Sequence, residues 1–204
     1  MRVLMRSLFR YVVLFIVLLL AGCAGLAPLP ENEKNSVWEY NKQRLAQLNA
    51  WSFRGRLALN DGQKSWSVFM RWQQQPHSYV IHLMTFLGQQ LMRLEGDENS
   101  VMLYRKDFSP VQASNVATLM AEQVGWVVPV EGLRYWMKGL PDSRSEFSSK
   151  LDSQGRLAEL QQSGWKVEFE RYREIDGLPV PAKMRLIRDD LTVRLVLDQW
   201  VFEG

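Results

Sequence analysis

From Trp51 onward apolar residues recur at every second position, and that period constrains the fold more than any other feature of the chain. Trp51, Phe53, Gly55, Leu57 and Leu59 alternate with Arg54, Arg56 and Ala58. Asn60-Asp61-Gly62 then marks a turn. Trp66, Val68, Met70 and Trp72 share one face, opposite Ser65, Ser67, Arg71 and Gln73, and Phe69 lies on that otherwise polar side. After Gln75-Pro76-His77 the alternation returns in Tyr79, Ile81 and Leu83. Successive side chains of a strand point to opposite faces, so each run reads as a half-buried strand. The connections are too short for parallel crossovers, so neighbouring strands must be antiparallel. Leu91–Glu95 and Val101–Arg105 extend the same meander.

The middle of the chain changes period. Val116, Leu119, Met120 and Val124 fall at helical spacing within 113–124, and Gly125 suits a C-cap. Pro129 opens a second short helix over 130–138, with Leu133, Trp136 and Met137 on one side, and Gly139-Leu140-Pro141 stops it. Strands are expected again at 144–151, 157–162, 165–173, 183–187 and 191–199. Gly155, Gly164 and Gly177 mark turns between them, as does the Asp189-Asp190 pair. The fold class is mainly β, with ten or eleven short antiparallel strands and helices before and between them.

The first 22 residues carry an address. Arg2, Arg6 and Arg10 precede the apolar run Tyr11–Ala21. Eleven residues rise only about 16 Å as a helix, against a hydrocarbon core of roughly 30 Å, so the run is a signal-peptide core and too short to span. It ends in Leu20-Ala21-Gly22-Cys23, which resembles the bacterial lipobox. By that resemblance Cys23 takes a diacylglyceryl thioether, the peptide is cut before it, and the new amine is acylated. Ala24, in place of an acidic residue, points to the outer membrane. Several acyl chains, at about 0.8 kcal/mol per buried CH₂, make a stable anchor. The expected organisation is a signal peptide over 1–22, a lipidated tether over 23–35, and one domain over 36–204. An amphipathic helix is expected over 36–49, capped by Ser36. The 25 basic residues less the three arginines of the leader equal the 22 acidic ones, so the mature chain is neutral and nucleic acid is not an expected partner.

The chemistry-bearing residues form no catalytic pattern. One cysteine and two histidines offer no metal-ligand spacing, and there is no G-x-S-x-G, H-E-x-x-H or glycine-rich phosphate loop. No enzyme activity, cofactor or metal is expected. His77 and His82 read as surface or satisfied histidines.

Two apolar features remain. The chain holds 8 Trp, 9 Met and 9 Phe, and methionine is favoured where a surface must accept variable apolar partners. A filled core accounts for any one of these side chains. The sharper expectation is a curved sheet lined for lipid, with Trp66, Val68, Met70, Ile81 and Leu83 contributing to an apolar pocket and Trp136 and Met137 on the covering helix. Phe86-Leu87-Gly88 is the second feature. Turns favour polar residues, Gly and Pro, so Phe86 and Leu87 either fold back onto the core or protrude to touch a membrane.

Taken in order along the chain, these segments resemble the LolB family of outer-membrane lipoprotein receptors. They are the lipobox at Cys23, Trp51-x-Phe-x-Gly-Arg-Leu-Ala58, Trp66 through Trp72-Gln73, Phe86-Leu87-Gly88, Leu133-Arg134-x-Trp136-x-x-Gly139-Leu140-Pro141, Gly164-Trp165-Lys166-Val167 and Leu197-x-x-Trp200. One departure is Phe86, where the family pattern has Pro. The resemblance implies an open, strongly curved antiparallel β half-barrel capped by helices, with a hydrophobic cavity for the acyl chains of another lipoprotein. It implies a soluble periplasmic donor, the carrier LolA, and delivery into the inner leaflet of the outer membrane by a monomer that needs no cofactor. The competing expectation is a structural lipoprotein of an envelope assembly complex that binds no lipid. An enzyme on a lipid tether is disfavoured by the absent acid/base or nucleophile set.

Overall fold

The computed structural model describes residues 29–125 and 129–203. The signal peptide and Cys23 lie outside the described residues. One sheet of eleven antiparallel strands organises the chain: β1 (Trp51–Asn60), β2 (Ser65–Gln74), β3 (Ser78–Met84), β4 (Gln90–Asp97), β5 (Val101–Arg105), β6 (Val111–Ala113), β7 (Phe147–Leu151), β8 (Leu157–Gln162), β9 (Trp165–Ile175), β10 (Leu178–Arg188) and β11 (Leu191–Phe202). Their spatial order is β6-β5-β4-β3-β2-β1-β11-β10-β9-β8-β7. The last strand therefore returns to pair with the first, and two meanders meet at the β1–β11 ladder. Strands β6 and β7 do not pair with each other, so the sheet is open.

Among the described residues three helices accompany it: α1 (Glu31–Ala46), α2 (Val116–Val124) and α3 (Val130–Trp136). Helix α1 starts earlier than the sequence pattern predicts. Pro30 occupies its N-cap position at φ −56°, and Glu31 and Glu33 complement the positive end of the helix in its first turn. Ser36 is not a cap; its hydroxyl bonds the Asn32 carbonyl inside the helix. Residues 31–35, expected as tether, are thus helical. Leu29 N–H donates to Ser153 O at 2.9 Å and the Arg44 guanidinium to Gly177 O at 3.0 Å, so α1 lies along the β7–β8 and β9–β10 turns.

Residues 113–124, expected as one helix, divide. Val111–Ala113 pairs with β5 as the short strand β6. Asn115 then caps α2, its side chain accepting from Thr118 N–H at 2.9 Å. Strand β7 begins at Phe147 because Asp142 and Arg144 close a side-chain loop on each other before it. The last three strands run longer than their alternation indicates; Pro181 and Lys183 bracket a register shift that lets β10 carry prolines.

The register assigns every alternating residue to a face. Phe53 pairs with Trp72 and Trp200, and Gly55 with Met70 and Leu197. A Cβ at Gly55 would collide with the Val196 carbonyl across a bulge in the central ladder, so only glycine fits there. On the inner face Trp51, Phe53, Trp72 and Trp200 pack ring to ring with centroids 5.3–6.4 Å apart. Such pairs add about 0.5–1.5 kcal/mol each beyond area burial. The β8–β11 wing is filled by Leu160, Val167, Met184, Leu186, Val193 and Leu195, all without solvent exposure.

Candidate concave lipid site and apolar loop

The sheet presents its apolar face to the helices. Met70 and Ile81 are buried on it; Val68 and Leu83 are half-buried. The ladder places Met70 opposite Leu83 and Trp72 opposite Ile81. Trp66 is on the same face but 37 % exposed, because β3 pairs with β2 only from Phe69 onward. Trp136 and Met137 are fully buried. The Trp136 indole donates to Gln162 Oε1 on β8 at 2.8 Å, which ties it to the other wing of the sheet from β2 and β3. The seven candidates are therefore divided between the wings.

Two pockets flank Arg134 and Gln74. One, of about 280 Å³, is bounded by Leu48, Trp51, Tyr135, Lys138, Leu140 and Phe147. The other, of about 310 Å³, runs beneath α2 and α3 beside Trp72, Tyr79, Val101, Val116 and Val130. Tyr79 lies flat over Gly96, where any Cβ would meet its ring. Burial pushes its phenol up to about 12, helped by the nearby Glu131 carboxylate.

Sequence reasoning missed the polar groups that hold the helices down. Gln162 is buried on the inner face and uses its whole amide. Its Oε1 accepts from Trp136 Nε1 and from Asp142 N–H, and its Nε2 donates to the carbonyls of Asp142 and Ser145, at 2.7–3.0 Å. Lys138 is only 5 % exposed and donates to Leu48 O at 2.9 Å. Burial lowers its ammonium to about 8, and Arg134 adds repulsion. Burial would raise the Asp142 carboxyl, but hydrogen bonds from Arg144 outweigh it and hold it below its usual value. Arg105 reaches Gln123 at the end of α2, with bonds of 3.1 Å to its carbonyl and 2.7 Å to its side chain. No local pattern marks Gln162, Lys138 or Arg105, because their partners lie 17 or more positions away.

The 85–89 connection is a compact turn. Thr85 N–H donates to Gln89 O at 2.9 Å, Gly88 N–H returns to Thr85 O at 3.0 Å, and Gly88 takes φ +81°. Closing the turn on its own backbone leaves its tip no contact with the core. Phe86 is 81 % and Leu87 73 % exposed, so both protrude. The histidines are at the surface, His77 against Glu98 and His82 against Gln90. Among the described residues no helix is long and apolar enough to cross a membrane, and no group of three or more His, Cys, Asp and Glu could hold a metal ion.

Comparison with known proteins agrees with this architecture. Among solved structures, a DUF1329-family protein from Desulfovibrio piger superposes with a TM-score of 0.59 at 10 % identity, covering 85 % of this chain and 93 % of its own. A LolA-superfamily protein from Nitrosomonas europaea gives 0.52 at 7 % identity, covering 83 % and 93 %. These likenesses establish the fold. In sequence, the outer-membrane lipoprotein LolB of Nitrosococcus oceani is 35 % identical over 93 % of this chain and 95 % of that protein. Its counterpart in Pseudomonas aeruginosa PAO1 is 37 % identical over 89 % and 90 %. The family described as outer membrane lipoprotein LolB matches residues 49–200. With all of the sheet but the last two residues of β11 inside that match, the chain belongs to the LolB family of outer-membrane lipoproteins.

Proposed function

We propose that this protein is a lipid-anchored receptor on the periplasmic face of the outer membrane. It accepts lipoproteins from the carrier LolA, holds their acyl chains against the concave face of the sheet, and inserts them into the inner leaflet. The observation that carries the reading is an eleven-stranded sheet left open and apolar across its inner face. Cys23 is its anchor, the Phe86–Leu87–Gly88 loop its probe into lipid, and Trp66, Val68, Met70, Ile81, Leu83, Trp136 and Met137 its candidate cavity residues. Two side chains the size of Phe86 and Leu87 bury about 3–5 kcal/mol of apolar surface on entering lipid, enough to probe and too little to anchor. Transfer needs no nucleotide if each successive site binds the acyl chains better, and each factor of ten takes about 1.4 kcal/mol.

Depletion of the protein followed by fractionation tests this. Other lipoproteins should accumulate in the periplasm bound to the carrier; their unchanged arrival in the outer membrane would overturn the reading. The solid packing of the β8–β11 wing favours the alternative of a structural lipoprotein that binds no lipid. Failure of the purified protein to take up an acylated lipoprotein would select it.

A further inference from the structure

We propose that the β5–β6 turn, with Phe108 at its tip, is a second lipid-contacting element, so that the chain meets the bilayer along the β3–β6 stretch of one sheet edge. The inference rests on the membrane reading of the 85–89 loop and extends it. In a meander successive turns alternate between the two edges of the sheet. The β3–β4 and β5–β6 turns therefore share an edge, two ladder spacings or about 10 Å apart. Phe108 is 63 % exposed, and Leu91, at 45 %, follows the β3–β4 turn at the bulge that begins β4.

The turn itself holds Phe108 outward. Asp107 takes φ +63°, in the left-handed region that disfavours side chains. The Arg105 guanidinium lies 4.5 Å over the Phe108 ring while its nitrogens bond Gln123. A connection that served only to reverse the chain would carry a polar tip. Charge agrees with the direction. Arg105 and Lys106 outnumber Asp107 here, whereas the β1–β2 and β10–β11 turns of the same edge carry Asp61, Asp189 and Asp190 against Lys64 and Arg188. An apolar tip beside cations, as at Phe108, suits a leaflet with anionic phospholipid headgroups. Separate protruding tips suit a fluid surface, which needs no complementary relief.

Depth measurement tests the proposal on the acylated, full mature chain reconstituted into vesicles of phosphatidylethanolamine with a minority of phosphatidylglycerol. Phe108→Cys, Leu87→Cys and Asn99→Cys each receive a thiol-reactive fluorophore; Asn99 is exposed on the opposite edge. Lipids with nitroxides on their acyl chains then quench what enters the leaflet. Quenching at 108 should fall within a factor of about two of that at 87, and exceed that at 99 by about fivefold, for side chains seated at the acyl boundary. Quenching at 87 without 108 overturns the second element and leaves the 85–89 loop as the probe. Equal quenching at 108 and 99 removes the orientation and with it the proposal. Quenching at none of the three overturns the membrane reading as well.

Discussion

Leu87 protrudes from a turn whose hydrogen bonds are all backbone or Thr85, so replacing it disturbs no packing. Leu87→Glu is expected to leave thermal unfolding and uptake from the carrier unchanged. Release into liposomes should fall about tenfold or more, because a charge at the acyl level costs a few kcal/mol. Normal release by the folded variant would remove the probe role. Lys138 makes the opposite kind of prediction. The native ammonium titrates near 8 and the unfolded one near 10.5, so between these values the unfolded chain binds more protons and stability rises with pH. Below about pH 8 the buried charge costs the fold its full penalty, about 3 kcal/mol. Lys138→Met forfeits the bond to Leu48 O, worth about 1 kcal/mol, and removes that penalty. It should raise the unfolding temperature at pH 7, and its advantage over the parent should shrink from pH 8 to pH 10.5. A parent and variant with parallel pH profiles would contradict this.

At the scale of elements, the segment from α3 to β7 hangs on one side chain. Gln162→Leu deprives the Trp136 indole, the Asp142 N–H and two carbonyls of their partners. Each buried orphan costs about 1–3 kcal/mol, so a loss of about 3 kcal/mol or more is expected in denaturant titrations. Amides of 136–145 should exchange faster, and a loss below 1 kcal/mol would show that water replaces the bonds. The same elements show how far the sequence could be read. Strands β1 to β5 were legible because alternation is a local property, and Gly125 ends α2 as its position predicts, at φ +85°. Strand β6 was not, because three residues carry no period. The start of α1 is hidden in the sequence because Pro30 to Asn35 offers no apolar residue to begin a helical period. Of the candidate site, the Phe86–Leu87 tip is visible as a composition anomaly, while its protrusion depends on the backbone bonds that close the turn between Thr85, Gly88 and Gln89. The division of the cavity residues between two wings could not be read, since the partner of Trp136 lies 26 residues away.

At the scale of the whole molecule, the two wings meet at β1–β11 and are separately finished. The outer face of β7–β10 is laced by ion pairs, with Lys166 between Glu159 and Glu168, and Glu170 between Lys183 and Arg185. The β2–β5 wing pairs Arg93 with Glu95 and also shows Phe69 to solvent. Lipoprotein loading is therefore expected to change hydrogen exchange in α2, α3 and their flanks while leaving β1 and β9–β11 protected. Uniform protection across the sheet would argue for a rigid container. The unpaired β6 and β7 make that difference possible. A closed barrel has its bore dictated by strand number and shear. Here the girth is set by the distance between two free borders, and no rung of any ladder breaks when that distance changes. Such a sleeve has no single calibre, and one chain of fixed sequence can close around cargoes of unequal bulk.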